Sequence, residues 1–117
     1  MSITVGSITV DCTDVGSMTA FWAAALGATV QMAGADFGML ARPENGGPYL
    51  SFQRVPEPKA GKNRLHVNLS GEPRATAVPR LEELGATAIA EHRSPGIAWT
   101  VMADPEGNEF CVGEAAP

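Results

Sequence analysis

Leu26-Gly-Ala-Thr-Val30 returns 58 residues later as Leu84-Gly-Ala-Thr-Ala88, and the same offset carries Phe52 onto Phe110. In a chain of 117 residues a repeat of that period leaves room for two copies of one unit and for nothing else. Neither copy is long enough for an independent core, so residues 1–117 are read as a single domain made of two similar modules. Module 1 covers about 1–55, a connector 56–63, and module 2 about 64–114. The connector Val55-Pro-Glu-Pro-Lys-Ala-Gly-Lys-Asn63 holds two prolines and a glycine and shows no apolar period.

Each module reads as strand, helix and three strands. Ile3 to Cys12 alternates apolar and small polar residues, with a break at Gly6-Ser7, as a half-buried strand does. From Asp14 to Gly27 the residues Met18, Phe21, Trp22 and Ala25 recur at helical spacing, which assigns Phe21 and Trp22 to the core, and Gly27 supplies the stop. Gly34-Ala-Asp36 and Pro43-Glu-Asn-Gly-Gly-Pro48 then divide Ala28 to Arg54 into three strands. The second module follows with a strand at Arg64–Ser70, a helix at about Arg74–Leu84, and strands near Thr87–Glu91, Ile97–Ala103 and Glu109–Gly113. Pro79 conflicts with that helix. Either the helix begins at Thr76 as N-cap, which places Pro79 in the first turn, or it is kinked. The class is α+β, two βαβββ modules.

Composition narrows the function. Eight Lys and Arg against thirteen Asp and Glu leave a net charge of -5, which argues against a nucleic-acid partner, and the cations that do cluster, Arg54, Lys59, Lys62 and Arg64, are read as a solvated loop around the connector. No window approaches the roughly 18 apolar residues of a membrane span, and no basic segment opens a secretion signal, so a cytoplasmic protein is expected, with no membrane partner. Cys12 and Cys111 lie at opposite ends of the chain, form no CxxC pair and are read as free thiols.

Three segments carry a family likeness over nearly the whole chain: Phe52-Gln-Arg-Val-Pro-Glu-Pro-Lys59, Lys62-Asn-Arg-Leu-His-Val-Asn-Leu69 and Asp104-Pro-Glu-Gly-Asn-Glu-Phe-Cys-Val112. With Phe21-Trp22 ahead of Leu26-Gly27, they resemble the glyoxalase-like branch of the vicinal oxygen chelate superfamily, beside glyoxalases and bleomycin-resistance proteins. That resemblance implies the glyoxalase/bleomycin resistance fold, in which the modules' mixed sheets curve into a cup with the helices outside. It also implies a homodimer, in some members with a strand shared between partners.

Strand parity selects what would line such a cup. Leu65, Val67 and Leu69 alternate with Arg64, His66 and Asn68; Phe110 and Val112 alternate with Glu109 and Cys111; Leu50 and Phe52 alternate with Ser51 and Gln53. A turn at Asp104–Asn108 that sets Ala103 against Glu109 would add Trp99 and Val101 to the polar set. Metal-dependent members of the superfamily use four cup-facing side chains to hold a divalent ion, which acts as a Lewis acid. Matched motif to motif, those positions fall on Ser7, Ser51 (or Gln53), His66 and Cys111, and only His66 is an ordinary ligand, so no metal or other cofactor is expected; if one binds, His66 holds it.

The candidate ligand-binding residues are therefore Ser7, Ser51, Gln53, Arg64, His66, Asn68, Trp99, Glu109 and Cys111. His66 is open to four roles: general base, hydrogen-bond donor, metal ligand or a locally satisfied side chain. Trp99 would stack on a flat ligand or close the core, Cys111 reads as an inert thiol, and Arg64 shares the parity of His66 and would meet an anion. His92, beside Ser94-Pro-Gly, is read as a solvated loop residue. The leading expectation is a metal-free protein that binds or sequesters an antibiotic or other planar small molecule. The alternative is a glyoxalase-like lyase, isomerase or dioxygenase, either metal-dependent or using His66 as acid or base.

Overall fold

A computed structural model describes residues 2–115, and the chain divides into two compact units between Pro58 and Lys59. The first unit carries β1 (Ser7–Cys12), α1 (Val15–Leu26), β2 (Val30–Ala33), β3 (Phe37–Leu40) and β4 (Tyr49–Arg54). The second carries β5 (Asn68–Leu69), α2 (Arg74–Leu84), β6 (Thr87–Ser94), β7 (Ile97–Ala103) and β8 (Glu109–Ala115). Each unit is thus βαβββ, with a mixed four-stranded sheet ordered β1-β4-β3-β2 in one and β5-β8-β7-β6 in the other. In both, the first and last strands pair in parallel and the other pairs are antiparallel.

The sequence repeat is a repeat of structure. Both helices end on the leucine of the repeated segment, and Gly27 and Gly85 follow with φ of 63° and 120°. The N–H groups of Ala28 and Ala86 then reach back to the carbonyls of Ala23 and Leu81 at 2.9 and 3.0 Å, closing each helix end. Phe52 and Phe110, the matched pair, are 0% and 1% exposed and stand at the centres of their units, one beneath each helix.

The Asp14 carboxylate caps α1, accepting from the backbone N–H and the hydroxyl of Ser17 at 3.0 Å each. Its buried stripe is Met18, Phe21, Trp22 and Ala25, with Val15 and Thr19 beside it. Gly38 lets this helix approach β3: a Cβ there would stand 2.4 Å from Thr19 Oγ1 and 3.1 Å from Val15 Cγ1.

Four local expectations are corrected. The first strand begins at Ser7, leaving Ile3 fully exposed ahead of it. The strand expected at Arg64–Ser70 shrinks to Asn68–Leu69, so Arg64 and His66 sit in irregular chain and Leu65 is 68% exposed instead of packed. β6 runs on to Ser94 and takes in His92, because Pro95-Gly96 is the whole hairpin turn, with Gly96 at φ 82°. Finally, α2 starts at Arg74 with Pro73 as N-cap, and Pro79 lies inside it. Thr76 is not the cap; its hydroxyl donates to the Pro73 carbonyl at 3.0 Å. The capping acceptor comes from the last strand instead: Glu114 accepts from the Arg74 N–H at 3.2 Å and from its Nε at 3.0 Å.

Candidate functional site

Register fixes which side chains share a face of the second sheet. Ala98, Thr100, Met102, Phe110 and Val112 are buried on the side of α2, where Arg74 Nη1 also donates to Thr100 Oγ1 at 3.0 Å. The alternate residues stand on the opposite face in three cross-strand rows. At one end His92 on β6 lies opposite Trp99 on β7, which lies opposite Gly113 on β8. In the middle come Ala90, Val101, Cys111 and, across the parallel pairing, Asn68. At the other end Ala103 pairs with Glu109, the register set by the Asp104–Asn108 turn.

The first row is aromatic. The His92 and Trp99 rings stack with centroids 5.3 Å apart and planes 25° from parallel. Gly113 places no side chain beside them; a Cβ there would stand 3.9 Å from Trp99 Cβ. His92 was missed as a site residue because Glu91, Arg93 and Ser94-Pro-Gly suggested a loop. The signal was available in the two-residue Pro-Gly turn, which pairs Ser94 with Ile97 and so, two residues back, His92 with Trp99.

The far row is polar. Lys62 Nζ contacts Glu109 Oε1, and the Asn63 amide accepts from the Glu109 N–H at 3.3 Å while donating to its carbonyl at 3.4 Å. Asn63 thereby mimics a ladder residue and ties the irregular 62–67 segment to β8, a tie completed by the Cys111 N–H donating to the Val67 carbonyl at 3.0 Å. Lys62, through its hydrogen bond first and then its charge, holds Glu109 below the usual carboxylate range, aided by Lys59 and His66. Burial, then the charge of Glu109, pushes the Cys111 thiol up, so it is a neutral S–H at pH 7. His66 and Arg64 are exposed.

The remaining candidates belong to the first unit. Ser7, Ser51 and Gln53 share the face turned away from α1, since Thr9 and Asp11 on β1 pair with Ser51 and Gln53. Ser7 and Gln53 are exposed, whereas Ser51 is 1% exposed and its hydroxyl has no hydrogen-bond partner. A groove of about 730 Å³ in this unit, walled by Leu26, Leu40, Leu50, Pro43 and Pro48, contains none of the sequence-derived candidates.

The donors at the four positions implied for a metal do not fit a hard divalent ion. Serine hydroxyls stay neutral and are weak donors, and a thiol is a soft ligand ill matched to a hard ion, which leaves His66 as the one ordinary ligand of the four. The Glu109 carboxylate, two residues before Cys111 on β8, is engaged by Lys62. Among the described residues no three His, Cys, Asp or Glu side chains are grouped to hold an ion.

No curated protein sequence matches the chain. Among solved structures, a glyoxalase/bleomycin resistance protein/dioxygenase family enzyme from Burkholderia phytofirmans PsJN superposes with a TM-score of 0.81 at 19% identity, covering 97% of this chain and 100% of its own. A glyoxalase family protein from Bacillus cereus gives 0.77 at 14% identity, over 100% and 97% of the two chains. A fosfomycin resistance protein from Mesorhizobium loti gives 0.73 at 12% identity, over 99% and 94%. At such identities these likenesses show the fold alone, the glyoxalase/bleomycin resistance fold of the vicinal oxygen chelate superfamily. The sequence profile of the glyoxalase-like domain matches residues 7–113, nearly the whole chain, and by that match the protein belongs to the glyoxalase-like domain family.

Proposed function

We propose that this glyoxalase-like domain binds a small planar molecule on the face of the second sheet turned away from α2, without a metal and without converting it. The observation that carries this reading is the His92–Trp99 stack beside Gly113, a flat aromatic surface with a vacant neighbouring position. Aromatic stacking needs no charge and no cofactor, and an indole face suits any flat π-system. The groups near it are poorly suited to covalent chemistry: the only cysteine on this face is a neutral thiol, and His66 is an exposed imidazole on irregular chain. Similar folds include proteins described as enzymes and one described as a fosfomycin resistance protein, so the fold does not choose between binding and turnover and the site must. In this reading the two modules serve one domain, which acts as a cytoplasmic homodimer.

Elemental analysis of the purified protein together with binding of a panel of planar compounds tests the proposal. Binding without turnover, lost in Trp99→Leu and independent of added Zn, Ni, Mn or Fe(II), is the expected result. One divalent ion per chain that His66→Ala releases would replace this reading with a metal-dependent lyase, isomerase or dioxygenase. Sedimentation tests the dimer, and a monomer at working concentration would contradict it.

A further inference from the structure

The face proposed to carry a planar ligand is not uniform along its length. Four residues separate the Trp99–Gly113 row from the Ala103–Glu109 row on both β7 and β8, a distance of about 13 Å at strand rise. Between them stand small or half-buried apolar side chains, Ala90, Val101 and the neutral Cys111, with no formal charge. At the far end the charge changes character. The chain carries a net charge of -5 and only eight Lys and Arg, yet Lys59, Lys62 and Arg64 fall within six residues here. Glu109 contacts Lys62 here, and Lys59 lies beside the turn that carries Asp104 and Glu106.

Lys62 is the cation placed to act. Its side chain is 76% exposed, and its contact with Glu109 leaves the other N–H groups of the ammonium free for a second acceptor. The segment bearing it is held in place by the two bonds from the Asn63 amide to the Glu109 backbone. Asn68, exposed on the edge strand β5 in the middle row, adds a neutral donor between the two ends.

Resting on the stacking role proposed above, we infer that the ligand is an elongated aromatic anion: its ring system lies over Gly113 against the Trp99 face that His92 leaves open, and a carboxylate or similar monoanion meets Lys62 at the row about 13 Å away. Lys62 is then the specificity-determining residue and Asn63 a positioning residue that acts through it. An exposed cation contributes modestly, so the preference for anion over neutral isostere is about fivefold.

Calorimetric titration of 3-(biphenyl-4-yl)propanoate and 3-(biphenyl-4-yl)propanamide, long enough to span the two rows, into the full chain at low salt tests this. The carboxylate is expected to bind about fivefold tighter than the amide, with the preference shrinking as salt is added and disappearing in Lys62→Gln, while the affinity for the amide is unchanged. In Trp99→Leu both ligands lose binding. Equal affinity of the two for the wild type, or a preference that survives in Lys62→Gln, would overturn the inference and leave the stacking role standing. If neither ligand binds, or both bind Trp99→Leu as tightly as wild type, the stacking role itself falls and the anion site with it.

Discussion

The Asp104 carboxylate is 4% exposed and accepts from the N–H groups of Glu106 and Asn108, at 3.0 and 2.9 Å, and from the Asn108 amide. Those bonds close the Asp104-Pro-Glu-Gly-Asn108 turn, with Gly107 at φ 87°, and the turn sets the register that puts Trp99 and Cys111 on one face. A segment that carries much of the family likeness is therefore structural, acting on the site through register. Replacing Asp104 by alanine leaves those turn N–H groups without their acceptor. The expected cost is about 2–3 kcal/mol, measured by urea denaturation, and a loss below about 0.5 kcal/mol would show that the turn closes without the carboxylate. Residues of this kind are easy to read from sequence, because Asp, Gly and Asn at fixed offsets announce a turn. His66 was harder: its parity was clear, but only the Asn63 side chain, standing in for ladder bonds, shows where the parallel strand gives way to irregular chain.

At the scale of elements the two helices differ in how they begin and in what interrupts them. Pro79 is the sixth residue of α2, where it removes the bond its N–H would make to the Ala75 carbonyl. Its side chain is exposed, so Pro79→Ala restores a helix bond without disturbing the core. Stability should rise by about 1–2 kcal/mol, less than the full helix penalty because the unfolded chain also gains freedom. An unchanged urea midpoint would contradict this. The cap on α2 carries a pH dependence. Glu114 is held below the usual carboxylate range, first by the Arg74 backbone N–H, then by its side-chain bond and charge. A carboxyl lowered in the folded state contributes stability that is present above its unfolded pKa and is lost as pH falls through the folded one. Asp14, Glu72 and Glu109 shift the same way, through Ser17, Arg80 and Lys62. The wild type should lose stability from about pH 4.5 downward, and Glu114→Gln should be less stable than wild type at neutral pH but nearly equal to it in acid. Parallel melting curves from pH 3 to 7 check the sign, and a gap that widened in acid would refute it. None of this cap was legible in sequence, since its donor and acceptor lie 40 residues apart.

For the whole molecule the repeat was the most informative signal, and it was legible because core and cap positions tolerate few residue types. Element order and both helices follow from it, whereas the parallel pairing of first and last strands in each unit is seen only in the fold. Strand ends do not follow from it either, because β5 and the chain before β1 depend on what pairs with them rather than on their own alternation. The duplicated core makes a symmetric prediction. Phe52→Ala and Phe110→Ala each empty the centre of one unit, and each should cost about 3–5 kcal/mol. Urea midpoints that fell for one variant and not the other would show that the two cores carry unequal weight. The site lies at the opposite extreme of legibility: the pairing of Trp99 with His92 is a property of a hairpin, visible only once its turn is counted correctly.

The cap of α2 by Glu114 also bears on how the chain acquires its structure during synthesis. Asp14 precedes α1 directly, so the first helix can start as soon as its own residues leave the ribosome. The second helix has no side-chain cap of its own and is broken in its own ladder by Pro79, and the acceptor for its first turn is made last, on the closing strand of its unit. The two halves share a fold yet are asymmetric in time: the first can consolidate while the chain grows, and the second waits for its final strand.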